Sequence, residues 1–144
     1  MASGLYNKGV YTIAVQTVFN WSSTNIRVLL LKTGAPAFAK THNFVSDVIS
    51  GGFEVTVGGY ARGTLGSPTV TEDDTNMRCV FDGADQAFGA LSTGETIIAA
   101  VVYIYNAADA AAPVICYSDF TDTPTNGSTF TVQWHTDGIW YTQH

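Results

Sequence analysis

Charged residues are scarce in this chain, making up 12% of its 144 residues, whereas about 25% is usual for a soluble domain. Basic residues are scarcest, with 6 Lys and Arg against 12 Asp and Glu, for a net charge of -6. Because nucleic-acid binding requires clustered basic side chains that contact phosphates, this balance argues against a nucleic-acid-binding protein. The chain carries 19 threonines and 9 serines instead, so hydroxyl and apolar groups are expected to cover much of its surface.

Cysteines and long apolar runs are also few. Cys79 and Cys116 are the two cysteines, too few for a disulfide framework, and their strand-like surroundings predict buried thiols in a protein made in a reducing compartment. The longest apolar run, residues 97–105, is about half the length of a membrane-spanning helix. The first residues lack the basic and apolar regions of a secretory signal. The sequence therefore predicts neither secretion nor a membrane partner.

Short strands separated by turns dominate the pattern. β-branched and aromatic runs bounded by Gly, Asn and Asp predict strands at residues 26–32, 53–57, 60–65, 69–71, 77–82, 96–105, 113–120, 129–134 and 139–141. Helical spacing predicts a helix over about residues 5–17 with Ser3 as N-cap, and one helical turn over 42–48 capped by Thr41. Because parallel sheets need helical crossovers, we predict a single mainly β domain, 1–144. Its expected architecture is an antiparallel β-sandwich or barrel with one or two short helices.

Motifs that carry chemistry are not evident. The acidic cluster Glu72, Asp73 and Asp74 is the most site-like feature, but it lacks the alternating ligand pattern and distal Glu of a calcium loop. A solvated hairpin turn is the favoured interpretation, and a cation site at these three residues is the alternative. The histidines lack zinc-binding spacing, and no nucleophile elbow or phosphate-binding glycine motif occurs. We therefore predict no catalytic residues, no cofactor and no enzyme activity.

Large side chains near turns and termini are the remaining candidates. The candidate interface residues are Leu5, Tyr6, Trp21, Phe44, Tyr60 and Trp140; closing the end of the sandwich is the alternative role for each. Trp21, Trp134 and Trp140 are also candidates for a carbohydrate-binding face, although aromatic residues at alternate strand positions more often belong to a core. A charge-poor surface is typical of interface centres. The chain also has few lysines to prevent exposed strand edges from pairing with another chain. The composition therefore predicts assembly with copies of itself or with a partner.

Several segments together resemble a known family. They are GLYNKG at 4–9, IRVLL at 26–30, KTHNFVSDV at 40–48, DDTN at 73–76, ICYSDF at 115–120 and TFTVQW at 129–134. In this order they resemble a group of small structural proteins of tailed-bacteriophage virions. The resemblance implies a capsid decoration (cement) protein that binds the major capsid protein outside the shell, as a trimer or another small symmetric cluster. A tail or tail-fibre-associated component is the second interpretation, and a glycan-binding module for host attachment is a third, from a different class.

Overall fold

The computed structural model describes residues 4–15, 20–22 and 25–143. The strands are β1 (Gly4–Leu5), β2 (Ile26–Lys32), β3 (Gly63–Thr64), β4 (Thr69–Asp73), β5 (Arg78–Asp82), β6 (Gln86–Ala90), β7 (Thr96–Ile104), β8 (Val114–Pro124), β9 (Thr129–Val132) and β10 (Trp140–Gln143). The α-helices are α1 (Asn7–Val15) and α2 (Val45–Val48), and a 3-10 turn spans Asp109–Ala111.

The strands form three antiparallel sheets. The largest has the order β1-β8-β7-β2-β3, a second has the order β10-β5-β4, and β6 pairs with β9. The two smaller sheets pack on one face of the five-stranded sheet through Phe81, Phe88, Val132 and Trp140. This arrangement confirms the predicted mainly β, antiparallel, sandwich-like class with two short helices.

The central strands β2 and β7 are buried on both faces because successive side chains of a strand point in opposite directions. Val28 and Leu30 of β2 face the smaller sheets. Leu29 and Leu31 point to the other face, where Val45 and Val48 of α2, together with Tyr6, cover them. The continuous apolar runs at 26–32 and 96–105 therefore carry a core on each side, as their composition predicts.

Helix α1 confirms the prediction of a helix near the N-terminus, within Asn7–Val15; Ser3 and residues 16 and 17 lie outside the described residues. The helix packs on β8 at Gly9. A Cβ built on Gly9 would lie 2.7 Å from the Cα and the carbonyl oxygen of Ile115. Glycine at this position is therefore what allows α1 to approach the sheet so closely.

The segment between α2 and β4 differs from the prediction. Residues 53–57 form no strand, only a single bridge between Leu31 and Glu54, and the predicted strand 60–65 is reduced to Gly63–Thr64. Gly51, Gly52 and Gly59 have φ between +81 and +88°, a left-handed conformation that interrupts a ladder. The helical turn here begins at Val45, and the Asp47 carboxylate rather than Thr41 accepts the N–H groups before it, those of Asn43 and Phe44.

Two further differences affect the smaller sheets. The strand predicted at 77–82 begins one residue later, at Arg78, because Met77 lies in the turn before β5 with φ +51° and is 65% exposed. The strands predicted at 129–134 and 139–141 do not form a hairpin, since β9 pairs with β6 and β10 pairs with β5. Strand β6 was not predicted at all, because Gln86–Ala90 contains two alanines and a glycine and lacks β-branched residues.

Candidate interaction surface

Three of the six predicted interface residues belong to the core. The exposed fraction is 0% for Tyr6, 1% for Trp21 and 7% for Trp140. The Trp21 indole N–H donates to the carbonyl oxygen of Asp82 at 2.8 Å, and its ring meets Phe81 edge-to-face with centroids 5.7 Å apart. This burial leaves little of these three side chains for a partner and favours the alternative role, closing the end of the sandwich.

Tyr60 is half-buried and has a structural role. Its hydroxyl donates to Oε1 of Glu54 at 2.8 Å and accepts the Leu30 N–H at 3.1 Å. Its ring stacks on Phe88 with a centroid distance of 6.0 Å. Burial and the Glu54 carboxylate raise the pKa of the Tyr60 hydroxyl above its usual range. These contacts hold the 53–62 segment against β2 and leave little of Tyr60 for a partner.

Phe44 and Leu5 are the predicted interface residues that retain surface. Both are half-buried. The Lys8 ammonium lies 5.2 Å from the Phe44 ring centroid and 5.3 Å from that of Tyr11, a cation–π geometry. Leu5 lies in β1 and borders an apolar groove between α1 and β10.

That groove is the centre of the exposed apolar surface near the N-terminus. It has a volume of about 270 Å³ and is lined by Leu5, Val10, Ile13, Trp140, Tyr141 and Thr142. Val10, Tyr11 and Tyr141 are 49%, 59% and 44% exposed. We call Leu5, Val10, Tyr11 and Tyr141 the helix patch. Sequence reasoning missed most of it, because apolar residues inside a predicted helix and strand are expected to face the core.

The basic side chains are largely engaged by carboxylates or aromatic rings. Lys32 pairs with Glu95 at 2.6 Å, and Arg62 pairs with both Glu54 and Asp109 at 2.6 Å. The hydrogen bonds that Arg62 donates to Glu54 and Asp109 raise the pKa of its guanidinium above its usual range. These pairs pin loops to the sheet.

Arg78 is also engaged. Its guanidinium binds Asp73 at 2.8 Å and Asp137 at 2.9 Å, and lies 5.1 Å from the Tyr141 ring centroid. The cations next to the helix patch, Lys8 and Arg78, therefore both lie over aromatic rings.

The acidic cluster forms the tip of the β4–β5 hairpin. The Asp73 carboxylate accepts the Asn76 backbone N–H at 3.2 Å, its side-chain amide at 2.8 Å and Nε of Arg78 at 2.8 Å. These hydrogen bonds, first from Asn76 and then from Arg78, lower the pKa of Asp73. Glu72 and Asp74 are exposed. Among the described residues, no group of three or more His, Cys, Asp and Glu side chains could hold a metal ion.

A wider groove runs between β8 and residues 132–139. It has a volume of about 580 Å³, and Asp119, Phe120, Gln133, Trp134 and His135 are among its lining residues. Trp134 is the one half-exposed tryptophan of the three. Its indole N–H donates to the Ala84 carbonyl and its backbone N–H to Asp85, both at 3.0 Å. The ring orientation is therefore held before any ligand binds.

The cysteines and histidines are the remaining side chains with chemical reactivity. Cys116 is buried and burial raises the pKa of its thiol to about 12; both cysteines are free. His42 is half-buried, His135 is exposed with Nδ1 3.3 Å from Asp137, and His144 lies outside the described residues. Within 4–15, 20–22 and 25–143, no helix has the length and apolar character that a membrane crossing requires.

No family model, curated protein or solved structure matches this chain.

Proposed function

We propose that this chain is a virion structural protein of a tailed bacteriophage, made in the host cytoplasm, that decorates the capsid and reinforces it by binding the major capsid protein. The observation that carries the proposal is the helix patch. Exposed Val10 and Tyr141 line an apolar groove whose lining includes no charged residue, and exposed Tyr11 follows Val10 on α1. Contiguous exposed apolar surface is a common feature of protein–protein interaction sites.

The composition of the patch supports protein binding. Tyrosine is enriched among the residues that contribute most to protein–protein affinity; Tyr141 lines this groove, and Tyr11 lies next to Val10 on α1. Lys8 lies over the Tyr11 ring and Arg78 over the Tyr141 ring. Asp73 and Asp137 bind Arg78, so side chains of both charges border the apolar centre. A partner with an apolar ridge and a polar margin would complement both features.

The mechanical role follows from where such a protein binds. A decoration protein that contacts two neighbouring capsid subunits adds buried surface across their junction, and about 1,200–2,000 Å² of buried area is typical of a stable contact. That added interface must be broken before the subunits separate. The shell would then resist internal pressure better with the protein bound than without it.

The test uses heads and tails purified separately from the phage that encodes the chain. The wild-type protein is expected to co-sediment with tailless heads and to raise the temperature at which they release DNA. Tyr11→Ser combined with Val10→Ser should abolish binding while the free energy of unfolding changes little. Tyr105→Ser is the matched control, because Tyr105 is 44% exposed but lies outside the patch. Binding to tails instead of heads would overturn the capsid assignment in favour of the tail-associated alternative, and binding to neither would overturn both.

The wider groove favours a second candidate, a glycan-binding module for host attachment. Phe120 and Trp134 offer aromatic surface, while Gln133 and His135 offer hydrogen-bonding groups, the combination on which sugar sites depend. A panel of neutral oligosaccharides tests this role by titration of tryptophan fluorescence. Binding that Trp134→Ala abolishes and Tyr105→Ala preserves would support it, and a flat titration with every sugar would exclude it.

A further inference from the structure

Strand β4 is an open edge of the three-stranded sheet. It pairs with β5 along its whole length, and no described strand lies on its other side. Thr69, Val70, Thr71 and Glu72 are all exposed. The outer strands of the five-stranded sheet, β1 and β3, are only two residues long. Strand β4 is five residues long and contains no lysine or proline, the residues that commonly prevent an edge strand from pairing. Its unpaired backbone N–H and C=O groups can therefore form hydrogen bonds with another strand.

We propose that β4 pairs antiparallel with β4 of a second copy, centred on Thr71, and joins two three-stranded sheets into one six-stranded sheet. In this register Thr71 lies opposite its own copy. Val70 lies opposite Glu72 of the partner subunit, and Thr69 lies opposite Asp73 of the partner subunit. All five residues of the strand are paired, and no acidic residue directly faces another.

Charge selects this register over a parallel one. A parallel in-register pair would place Glu72 against its own copy and Asp73 against its own copy, and like charges directly opposite each other destabilise a sheet. In the antiparallel register, the Glu72 carboxylates are diagonal neighbours, whose Cα atoms are ~7–8 Å apart rather than ~4.5–5.5 Å. Asp73 already has a counter-charge, because Arg78 binds it at 2.8 Å.

The side-chain alternation of the sheet selects the same register. Val70 is opposite the buried Phe81, which in turn is opposite Trp140, so these three side chains share the inner face. Pairing centred on Thr71 keeps Val70 of both copies on the same side, so the inner faces form one continuous layer. A slip of one residue would turn the inner faces to opposite sides, since the side-chain period of a strand is two.

The pairing concerns the purified chain and holds whether or not the chain is a virion protein. It closes at two chains, because an antiparallel contact about a two-fold axis uses the same edge on both copies. The family resemblance implies a trimer or another small symmetric cluster, and the mass in solution distinguishes a dimer from a trimer. Light scattering of the wild-type protein is expected to give twice the chain mass at high concentration. A monomer at every concentration, or a trimer, would overturn the proposal.

Two substitutions at one exposed site test the register. Val70→Glu places a carboxylate opposite Glu72 of the partner subunit at two symmetric positions, so the dimer is expected to weaken by about tenfold. Val70→Lys places an ammonium group there, so the dimer should be retained or strengthened. Val70 is 44% exposed, so the fold should tolerate both changes, and circular dichroism checks this. In a parallel pair the new lysine would face its own copy, so weakening by Val70→Lys would overturn the register.

Cysteine cross-linking provides an independent measurement. In a Cys79→Ser background, Thr71→Cys alone is expected to form a disulfide-linked dimer under mild oxidation, because the two positions face each other. Val70→Cys and Glu72→Cys should each cross-link poorly alone and efficiently when the two variants are mixed. The Cys79→Ser parent is the control. Efficient cross-linking of Val70→Cys to itself, without that of the mixture, would contradict the antiparallel register.

Discussion

The five-stranded and three-stranded sheets cover their apolar surface in different ways. Both faces of β2 and β7 are buried, by α2 and Tyr6 on one side and by the smaller sheets on the other. The three-stranded sheet is covered on one face only; its outer face carries Tyr141, and its edge strand β4 is exposed. The large sheet therefore supplies stability, while the small sheet and the adjacent α1 supply the surface available for assembly.

The largest effect expected on the free energy of unfolding comes from truncating one side chain in each sheet, which tests this comparison. Leu29→Ala removes a fully buried side chain of β2 and is expected to lower the free energy of unfolding by about 2–5 kcal/mol, since it leaves a cavity. Val70→Ala in β4 should change it by less than ~0.5 kcal/mol, because an exposed site loses little packing. Urea denaturation of both variants at a concentration where the chain is monomeric makes the measurement. Equal losses would show that the small sheet contributes to stability as the large one does.

The contrast between the two sheets also explains which parts of the fold the sequence predicts and which it does not. The runs that became β2, β7 and β8 were recognised because burial on both faces demands continuous apolar residues. Trp21 looked like an interface residue because it follows Asn20 in a turn-like segment. Its burial depends on Phe81 and Asp82, about 60 positions away, a contact that no local pattern encodes.

The same limit applies to the exposed surface. Val10 and Tyr11 lie inside the predicted helix, where apolar residues are expected to face the core. Their exposure follows from the orientation of α1, which Gly9 sets by its contact with Ile115. The 53–57 segment alternates like a strand, but it is flanked by glycines with left-handed backbone and is held by side chains instead. Local periodicity identified elements; which face each element presents depends on long-range contacts.

The next effect concerns a polar anchor of the large sheet. Glu95, just before β7, accepts hydrogen bonds from Lys32 at 2.6 Å and from the Thr56 N–H and hydroxyl at 2.8 Å. Although burial opposes it, these contacts lower the pKa of Glu95 to about 2. A carboxylate whose pKa is lower in the folded than in the unfolded chain stabilises the fold. This contribution is complete at a pH above the unfolded pKa, 4.5, and is lost as the pH falls through the folded pKa.

Glu95→Gln is therefore expected to cost about 2 kcal/mol at pH 7 and much less at pH 2. The measurement is the free energy of unfolding by urea between pH 7 and 2 for the variant and the wild type. Asp73→Asn at the hairpin tip is the control from the small sheet, and its effect should be the smaller of the two because the Asp73 side chain is more exposed than that of Glu95, 23% against 15%. A Glu95→Gln penalty that does not shrink at low pH would contradict this role for the carboxylate.

The smallest effect lies in the small sheet and has the opposite sign. Met77, in the β4–β5 turn, combines φ +51° with 65% exposure, so a large apolar side chain occupies a left-handed conformation without packing to compensate. Met77→Gly is expected to stabilise the chain by about 0.5–1 kcal/mol, because left-handed backbone costs L-residues about that much or more and glycine adopts it freely. Met77→Ala keeps the backbone penalty and should give no gain. Thermal denaturation of the two variants and the wild type measures the difference. A loss of stability with glycine would mean that the Met77 side chain contributes packing to the hairpin. The small sheet would then gain more stability from its side chains than the contrast between the sheets implies.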